Sequence, residues 1–123
     1  MTRTNEVLIV VRRADEYLVV HRSPENGGYW HQIAGGVEQG ESPAAAAVRE
    51  LCEETSLVAE PVPIPGAFEY DGIHVDCFLA EAPAGWEPTL DWEHDDYCWL
   101  TAEGAAELVY WPEPAEILRA FVS

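Results

Sequence analysis

The sequence predicts an α/β fold in which one β-sheet and several helices share a single core. Two short apolar runs near the N-terminus, Val7 to Val11 and Tyr17 to Val20, flank a charged segment and together predict a β-hairpin. A helix is predicted to begin at Ser42 and Pro43, because serine caps free backbone amides and proline tolerates the first helical position. Two segments near the C-terminus have the apolar spacing of amphipathic helices and are expected to pack on the sheet.

The length of the chain is that of one domain. Its 123 residues suffice for one hydrophobic core but not for two, and no stretch resembles a linker, so residues 1–123 are expected to form a single domain. No apolar run approaches the roughly 20 residues that span a bilayer, and the N-terminus lacks the organisation of a signal peptide. These features predict a cytoplasmic protein that does not enter a membrane. The sequence is also compatible with a homodimer.

The net charge of −17 argues against binding to a nucleic-acid polymer, since that affinity depends on basic side chains that neutralise phosphates. A small polyphosphate is still compatible with this charge, because a bound metal ion can invert the local field of the carboxylates. The cysteines are odd in number and far apart, with neither disulfide nor zinc spacing. We expect all three to be small buried apolar residues: Cys52, Cys77 and Cys98.

A second hairpin is predicted in the middle of the chain. Ala67 to Tyr70 and Ile73 to Ala80 are strand candidates, and the Asp71-Gly72 pair between them is typical of tight hairpin turns. Three alternating prolines between residues 61 and 65 are expected to keep the preceding stretch out of the interior of a sheet. Phe68 and Tyr70 can face either the core or a pocket, and core packing is the expectation for both. Trp30 is expected to pack in the core or a loop, with a base-stacking platform as the alternative.

The last third of the chain predicts a strand and two helices. An acidic segment from Asp91 to Asp96 precedes a predicted strand at Tyr97 to Leu100. Helices are predicted at Ala102 to Leu108 and at Glu113 to Phe121, where apolar residues recur at helical spacing. The acidic segment by itself is compatible with a solvated loop.

The segment from Gly35 to Leu57 contains the chemically most informative pattern. Within its predicted helix, Glu50, Glu53 and Glu54 recur at i, i+3 and i+4 and therefore share one face. Like charges at this spacing repel each other and destabilise an isolated helix, so the cluster calls for a compensating cation. Magnesium is the first candidate, because it prefers oxygen ligands and is usually held by a few carboxylates together with substrate phosphates.

This segment resembles the signature of Nudix hydrolases, here called the box. The resemblance implies an α/β/α sandwich with a mixed sheet between helices, and a box helix that lies along the edge of the sheet. The sequence departs from the pattern at Ser56, where the family has glycine. The matching residues are Gly35, Glu41, Arg49, Glu50, Leu51, Glu53, Glu54 and Leu57.

The resemblance also implies roles for the box residues. Glu53 and Glu54 match the principal metal ligands of the family, for Mg²⁺ with Mn²⁺ as a substitute, and Glu53 is counted among the catalytic residues. Glu50 matches a residue that serves as ligand or as general base in different members, and both alternatives stay open. Arg49 is counted with Glu50 and Glu53 among the catalytic residues, and its spacing predicts that it pairs with a carboxylate of the cluster and fixes its rotamer. The backbone carbonyl of Ala34, the residue before the box glycine, matches a further metal ligand.

Residues outside the metal cluster have implied roles as well. Glu41 matches the glutamate that braces the loop before the helix, and Gly35 and Gly36 match the glycine turn that contacts substrate. An arginine near the position of Arg22 often faces the substrate in this family. Glu93 matches a glutamate outside the box that joins the metal site.

Three short segments resemble dihydroneopterin triphosphate pyrophosphohydrolases in particular. These segments are Trp30 to Gly35, Glu93 to Leu100 and Trp111-Pro112. The implied reaction is metal-dependent hydrolysis of a nucleoside triphosphate, or of dihydroneopterin triphosphate, to the monophosphate and pyrophosphate. Within the family, the alternatives are a hydrolase of nucleoside diphosphates linked to another group, or of dinucleoside polyphosphates.

Three readings without catalysis compete with this one. A solvated acidic helix face accounts for the three glutamates, but not for their occurrence with the other box residues at family spacing. A catalytically silent nucleotide-binding module commonly lacks box glutamates, whereas all are present here. A calcium-binding structural protein is disfavoured, because a single helix lacks the looped ligand arrangement of calcium sites.

Overall fold

The structure, a computed structural model, describes residues 4–122. Seven of its strands form one mixed sheet with helices on both faces, which confirms the predicted α/β sandwich. The strands are β1 Asn5–Arg13, β2 Glu16–Arg22, β3 Trp30–His31, β4 Ile33–Gly36, β5 Val62–Tyr70, β6 Ile73–Glu81 and β7 His94–Leu100. The helices are α1 Pro43–Thr55, α2 Ala102–Leu108 and α3 Pro112–Arg119.

Strand β1 is the central strand of the sheet. It pairs in parallel with β6 and antiparallel with β2 and β4, while β5 lies at one edge beyond β6. The predicted hairpin of β1 and β2 is confirmed. Because successive side chains of a strand point to opposite faces, Val7 and Ile9 pack in the core under α1, whereas Leu8 and Val10 pack in the core under α2 and α3.

Helix α1 begins as predicted, at a serine cap followed by proline. The Ser42 Oγ accepts a hydrogen bond from the Ala45 backbone N–H at 3.1 Å. The helix packs on the sheet face formed by β1 and β4 through Ala46, Ala47 and Leu51, so the expectation that it follows the edge of the sheet was wrong. The small alanine side chains allow the helix to approach the face of the sheet closely.

The second hairpin is confirmed, but its first strand is longer than predicted. β5 begins at Val62 and includes two prolines, and it pairs with β6 alone. An edge strand tolerates proline because its outer side needs no backbone donor, and a bulge lies between Ile64 and Phe68. Asp71 and Gly72 both have positive φ, 47° and 77°, as a tight primed turn requires.

The C-terminal elements differ from the predictions mainly at their boundaries. α2 has its predicted bounds, β7 begins three residues early at His94, and α3 ends before Phe121. The Phe121 ring packs beside Tyr17, with ring centroids 5.5 Å apart. Phe121 thus contributes to packing although it lies beyond the end of the helix. Among residues 4–122, no helix is long and apolar enough to cross a membrane.

The expectation of buried cysteines holds only in part. Cys77 is buried and Cys98 is half-buried, but Cys52 is exposed. Cys52 follows the buried Leu51 on α1 and projects from the outer side of the helix. An apolar residue in a helical pattern is therefore not by itself evidence of burial.

The end of α1 shows why the box pattern has glycine at the position of Ser56. Ser56 has a φ of 69° and a ψ of 11°, in the left-handed region, and its N–H bonds the Cys52 carbonyl at 2.8 Å. A residue with a β-carbon pays about 1–2 kcal/mol for this conformation. Glycine avoids that strain but gains freedom in the unfolded chain, which returns about 0.4–1 kcal/mol. We expect Ser56→Gly to raise the free energy of unfolding by about 0.5 kcal/mol, as measured by urea denaturation.

A Ser56→Ala variant separates the two features of the serine. Its hydroxyl lies 3.5 Å from the Thr89 carbonyl, at the limit of a hydrogen bond. Alanine keeps the β-carbon and removes this contact, so it is expected not to be more stable than the wild type. A Ser56→Gly protein that is less stable than Ser56→Ala contradicts the strain argument.

Candidate active site

A cleft of about 880 Å³ lies where the glycine turn before α1, the sheet face under α3 and the loop before β7 meet. Eight of the nine residues proposed from the sequence line this cleft, although they come from four separate parts of the chain. These residues are Arg22, Ala34, Gly35, Gly36, Arg49, Glu50, Glu53 and Glu93. The ninth, Glu54, lies buried behind the cleft wall.

Arg49 is the centre of an ion-pair network at the start of the cleft. Its guanidinium donates to both oxygens of Glu41 at 2.9 Å, and to Glu50 and Glu53 at 2.8 and 3.3 Å. It also donates to the Gly36 carbonyl at 2.9 Å, which ties the glycine turn to the helix. The Arg49 hydrogen bonds lower the pKa of Glu41 to about 2. The predicted pairing of Arg49 with the glutamate cluster is therefore present, and Glu41 braces the loop.

Gly35 permits the close approach of Glu50 to the backbone. A β-carbon at position 35 would overlap the Glu50 carboxyl group, so only glycine fits without displacing it. The Glu50 side chain is 11% exposed and nevertheless lines the cleft, where Arg49 holds it. The box glycine thus fixes the position of this carboxylate.

Glu54 lies one turn after Glu50 on the buried flank of α1. It is 3% exposed, and burial raises the pKa of its carboxyl far above the usual range, with further contributions from Glu50, Asp91 and Glu93. Glu53, by contrast, is 57% exposed and points into the cleft. The three glutamates therefore occupy two environments, although their spacing predicted one shared face.

His94 is a buried neighbour of Glu54 that the sequence reasoning did not single out. Its Nδ1 lies 2.8 Å from the Asp91 carboxylate, and its Nε2 lies 3.7 Å from Glu54 Oε1 without a hydrogen-bond partner among the described residues. The contact joins residues 40 positions apart in the sequence. The only feature of the sequence that pointed to His94 is its place after Glu93, in the segment that resembles dihydroneopterin triphosphate pyrophosphohydrolases.

The acidic loop before β7 presents one carboxylate to the cleft. Glu93 lines the cleft, and its carbonyl accepts the Ser23 N–H at 2.9 Å, which anchors the loop to the end of β2. Burial and the nearby Asp91 raise the pKa of Glu93. The two acids at the start of β7 have partners of their own, since Asp95 pairs with His21 at 2.7 Å and Asp96 accepts from the Tyr97 N–H at 2.8 Å. The charge run is therefore not a uniform solvated loop.

Arg22 faces the cleft from the end of β2. Its Nε donates to the Asn26 carbonyl at 2.6 Å, and its guanidinium lies 5.7 Å from the centroid of the Tyr29 ring. These contacts hold the side chain in place while its terminal nitrogens stay available to an anion. Arg22 and Arg49 are the arginines among the described residues that line the cleft.

Aromatic residues form the other end of the cleft. The expectation that Phe68 and Tyr70 serve the core was incomplete for Phe68 and wrong for Tyr70, which is 41% exposed and lines the cleft. Trp30 packs against the core under α2 and α3 as expected. The remaining aromatic lining residues, which no periodicity distinguished, are Tyr29, His31 and Trp111.

The carboxylates of the described residues are not arranged as a complete set of metal ligands. Among residues 4–122, no three side chains of the metal-binding types lie close enough together to hold an ion. Glu50 and Glu53 form ion pairs with Arg49, and Glu54 is buried. The donor set still fits a divalent cation, because Glu50 and Glu54 are buried acids whose mutual repulsion a hard cation would relieve.

Comparison with known proteins identifies the family. A model of the NUDIX domain matches residues 2–121 of the chain. The chain belongs to the NUDIX family. The expected fold is confirmed independently by the solved structure of the Escherichia coli dihydroneopterin triphosphate pyrophosphohydrolase, with a TM-score of 0.84 at 22% identity over 98% of this NUDIX chain and 95% of that chain.

Two curated relatives resemble this NUDIX chain in sequence. The dihydroneopterin triphosphate diphosphatase of Haemophilus influenzae is 26% identical over 136 residues, which cover 94% of this chain and 84% of that protein. The octanoyltransferase of Myxococcus xanthus is 36% identical over 121 residues, which cover 85% of this chain but only 32% of that protein. The chain thus spans about a third of the length of the second relative.

Proposed function

We propose that the protein is a divalent-metal-dependent hydrolase that cleaves a nucleoside triphosphate or dihydroneopterin triphosphate into the monophosphate and pyrophosphate. The observation that carries this proposal is the meeting of Glu50, Glu53 and Glu93 at one cleft that also offers Arg22. A polyphosphate cannot enter this cleft unaided, because carboxylates outnumber arginines there and Arg49 is already engaged by acids. A divalent cation would reconcile the acidic cleft with an anionic substrate.

The box residues would act together on the phosphates. Glu53, Glu54 and Glu93, with the Ala34 carbonyl, would hold the ion, and Glu50 would serve as a further ligand or as general base. When bound, such an ion neutralises phosphate oxygens and lowers the pKa of a coordinated water. Arg49 would keep Glu50 and Glu53 oriented.

Residues outside the ion site would bind the phosphates directly. Arg22 would contact the phosphate chain with its free guanidinium nitrogens, and the Gly35-Gly36 turn would let the phosphates approach the backbone. The substrate would be a small molecule rather than a nucleic-acid polymer, in agreement with the net charge of −17.

The triphosphate substrate is supported by the relative from Haemophilus influenzae, whose name assigns it to dihydroneopterin triphosphate. Dinucleoside polyphosphates and nucleoside diphosphates linked to another group are the alternative substrates within this family. A silent nucleotide-binding module is the alternative without chemistry. The presence of every box glutamate, three of which are held by Arg49, argues against it.

The decisive experiment follows the first product formed from each of a panel of substrates. We expect phosphorus NMR in oxygen-18 water, with magnesium or manganese present, to show pyrophosphate as the initial product from a triphosphate. Oxygen-18 in the monophosphate or in the pyrophosphate then identifies the phosphorus that water attacked. Orthophosphate as the first product contradicts the proposed cleavage, and no turnover of any phosphoanhydride contradicts the proposed enzyme.

The second prediction concerns the acid outside the box. Among the four acids between Asp91 and Asp96, Glu93 is the one that lines the cleft. We expect Glu93→Gln to lower turnover at least about tenfold and to raise the magnesium concentration needed for half-maximal rate, because it removes one ligand charge.

Two neighbouring acids are matched controls for Glu93. Asp95 and Asp96 lie in the same segment, but they pair with His21 and with the Tyr97 N–H. Asp95→Asn and Asp96→Asn are expected to change turnover less than twofold, since both pairings are exposed. Asp91→Asn is less suited as a control because Asp91 contacts the buried His94. Small, equal effects at all four positions contradict the assignment of Glu93.

A further inference from the structure

The aromatic end of the cleft has a rigid floor that includes one carboxylate. Glu6 on β1 is the register partner of Val75 on β6, and Val75 is the register partner of Phe68 on β5. All three line the cleft and form a row across three neighbouring strands. Side chains on a sheet hold their relative positions more exactly than side chains on loops, so this row can present fixed groups to a ligand.

Glu6 lies on the sheet face that carries the cleft. Residues two apart on a strand share a face, and Leu8 belongs to the core under α2 and α3 and also lines the cleft. Glu6 continues this face beyond the core, where the apolar floor ends. A carboxylate here cannot serve packing, which leaves its position unexplained by the fold.

A neighbouring hydroxyl fixes the orientation of this carboxylate. The Tyr70 hydroxyl donates a hydrogen bond to Glu6 Oε1 at 2.7 Å. Burial and this hydrogen bond raise the pKa of Tyr70, so the hydroxyl stays a donor. A carboxylate has about four acceptor sites, so Oε2 and part of Oε1 remain available to a ligand.

Aromatic rings from two different parts of the chain line the space around Glu6. Phe68 and Tyr70 lie on β5 with ring centroids 6.4 Å apart and planes inclined at 33°. Tyr29 precedes β3 and Trp111 precedes α3, and their ring centroids lie 6.0 Å apart with the planes at 86°. Aromatic side chains in such numbers offer stacking surfaces to a flat heterocycle.

The charges of the cleft orient a substrate along it. Asp71 and Glu113 join Glu6 among the lining residues of this end, so it repels phosphates and favours hydrogen-bond donors. Two arginines line the cleft among the described residues. Arg49 contacts the box glutamates, and Arg22 lies over the Tyr29 ring. Glu6 is also the register partner of Gly36 on β4, so a heterocycle at Glu6 would lie directly beside the glycine turn and leave its phosphates to the box glutamates and the arginines.

We propose that Glu6 recognises the heterocycle of the substrate through a 2-amino-4-oxopyrimidine edge, the edge that guanine and pterins share. This inference rests on the proposed function, because it concerns the group that carries the triphosphate. Such an edge presents a ring N–H beside an exocyclic amino group, two adjacent donors that match the two oxygens of one carboxylate. Adenine and cytosine place an acceptor beside the amino group, and hypoxanthine lacks the amino group altogether.

Three matched purine triphosphates test this assignment. The three differ at one ring position, where GTP carries an amino group, ITP a hydrogen and XTP a carbonyl oxygen. The wild-type protein is expected to have a kcat/KM at least about tenfold higher for GTP than for ITP, because a hydrogen bond to a charged group is lost. Glutamine offers one acceptor and one donor, so Glu6→Gln is expected to shift the GTP-to-XTP preference at least about a hundredfold toward XTP. The shift is expected mainly in KM, because contacts to the heterocycle are the same in the bound substrate and in the transition state at the reacting phosphate.

Two further variants separate recognition from folding. Tyr70→Phe keeps the ring and removes the hydroxyl that orients Glu6, so it is expected to reduce the GTP-to-ITP preference about threefold or more. Glu69→Gln changes an exposed carboxylate next to Tyr70 that does not line the cleft, and it is expected to leave this preference unchanged. If Glu6→Gln does not fold, the Tyr70→Phe and Glu69→Gln pair still decides the question.

The two sources of the shared edge are distinguished by comparing dihydroneopterin triphosphate with GTP. Whichever has the higher kcat/KM is the better substrate, and Glu6→Gln is expected to lower the kcat/KM of both. A protein that prefers ATP, or that treats GTP and ITP equally, overturns the inference while its turnover supports the proposed function.

Equilibrium binding decides the inference even without turnover. Calorimetry of GMP and IMP is expected to show tighter binding of GMP by at least about tenfold in the wild type, and a smaller difference in Glu6→Gln. If no triphosphate is cleaved, the proposed function fails, and equal binding of GMP and IMP then overturns the inference as well.

Discussion

Glu53→Gln is expected to lower the turnover of a triphosphate at least about a hundredfold while the protein stays folded. Glu53 is the box carboxylate that projects into the cleft, and its side chain is 57% exposed. Its pairing with Arg49 at 3.3 Å is a partly solvated ion pair, which contributes about 0–1 kcal/mol to stability. The amide thus removes a ligand charge where the substrate would bind, at little cost in folding.

The measurements for Glu53→Gln are steady-state turnover at saturating magnesium, urea denaturation and direct binding of Mn²⁺ followed by electron paramagnetic resonance. A suitable control is Glu116→Gln on α3, which removes an exposed glutamate paired with an arginine on the same helix, Arg119 at 3.1 Å. Glu116 does not line the cleft, so this variant is expected to retain wild-type turnover. Near wild-type activity and Mn²⁺ affinity in Glu53→Gln contradict its role as a ligand.

Glu54→Gln is expected to cause a similar loss of turnover with a different effect on stability. Glu54 is 3% exposed and lies near Glu50, Asp91 and Glu93, so the metal-free protein buries an acid among acids. Glutamine has almost the same shape and no charge. Because it relieves the cost of that burial, the variant is expected to be at least as stable as the wild type without metal.

Thermal unfolding with and without magnesium separates the two effects of Glu54→Gln. The wild type is expected to gain stability when magnesium is added, because an ion that binds only the folded protein stabilises it by mass action. The variant is expected to gain much less. Unchanged turnover in Glu54→Gln, or an equal gain in stability with magnesium, contradicts the role of Glu54 as a ligand.

Local sequence determined the elements whose causes are local. The serine cap and proline set the start of α1, the Asp71-Gly72 pair set the turn between β5 and β6, and the apolar run of β1 formed a strand buried on both faces. Each is a property of a few adjacent residues, which a chain carries in any tertiary context. β5 shows the limit, since its two prolines were tolerable only because it became an edge strand.

The box spacing also predicted which residues meet, because a helix brings i, i+3 and i+4 together and a glycine turn brings Gly35 beside Glu50. The family pattern further assigned Arg22 and Glu93 to the same cleft, although nothing in their own neighbourhood requires it. Periodicity alone leaves the burial of helix residues open. It therefore grouped the three glutamates on one face, whereas packing on β1 and β4 buries Glu50 and Glu54 and exposes Glu53.

The tertiary structure alone decided which side chains meet beside the box glutamates and among the aromatic residues of the cleft. His94 reaches Glu54 from 40 positions away, and Glu6 meets Tyr70 across 64 positions, through a register that no single strand encodes. Both contacts arise because β1, β6 and β5 lie side by side and because β7 pairs with β2. A pattern of adjacent residues cannot specify such pairs. Each pair depends on the order and register of strands that are far apart in the sequence.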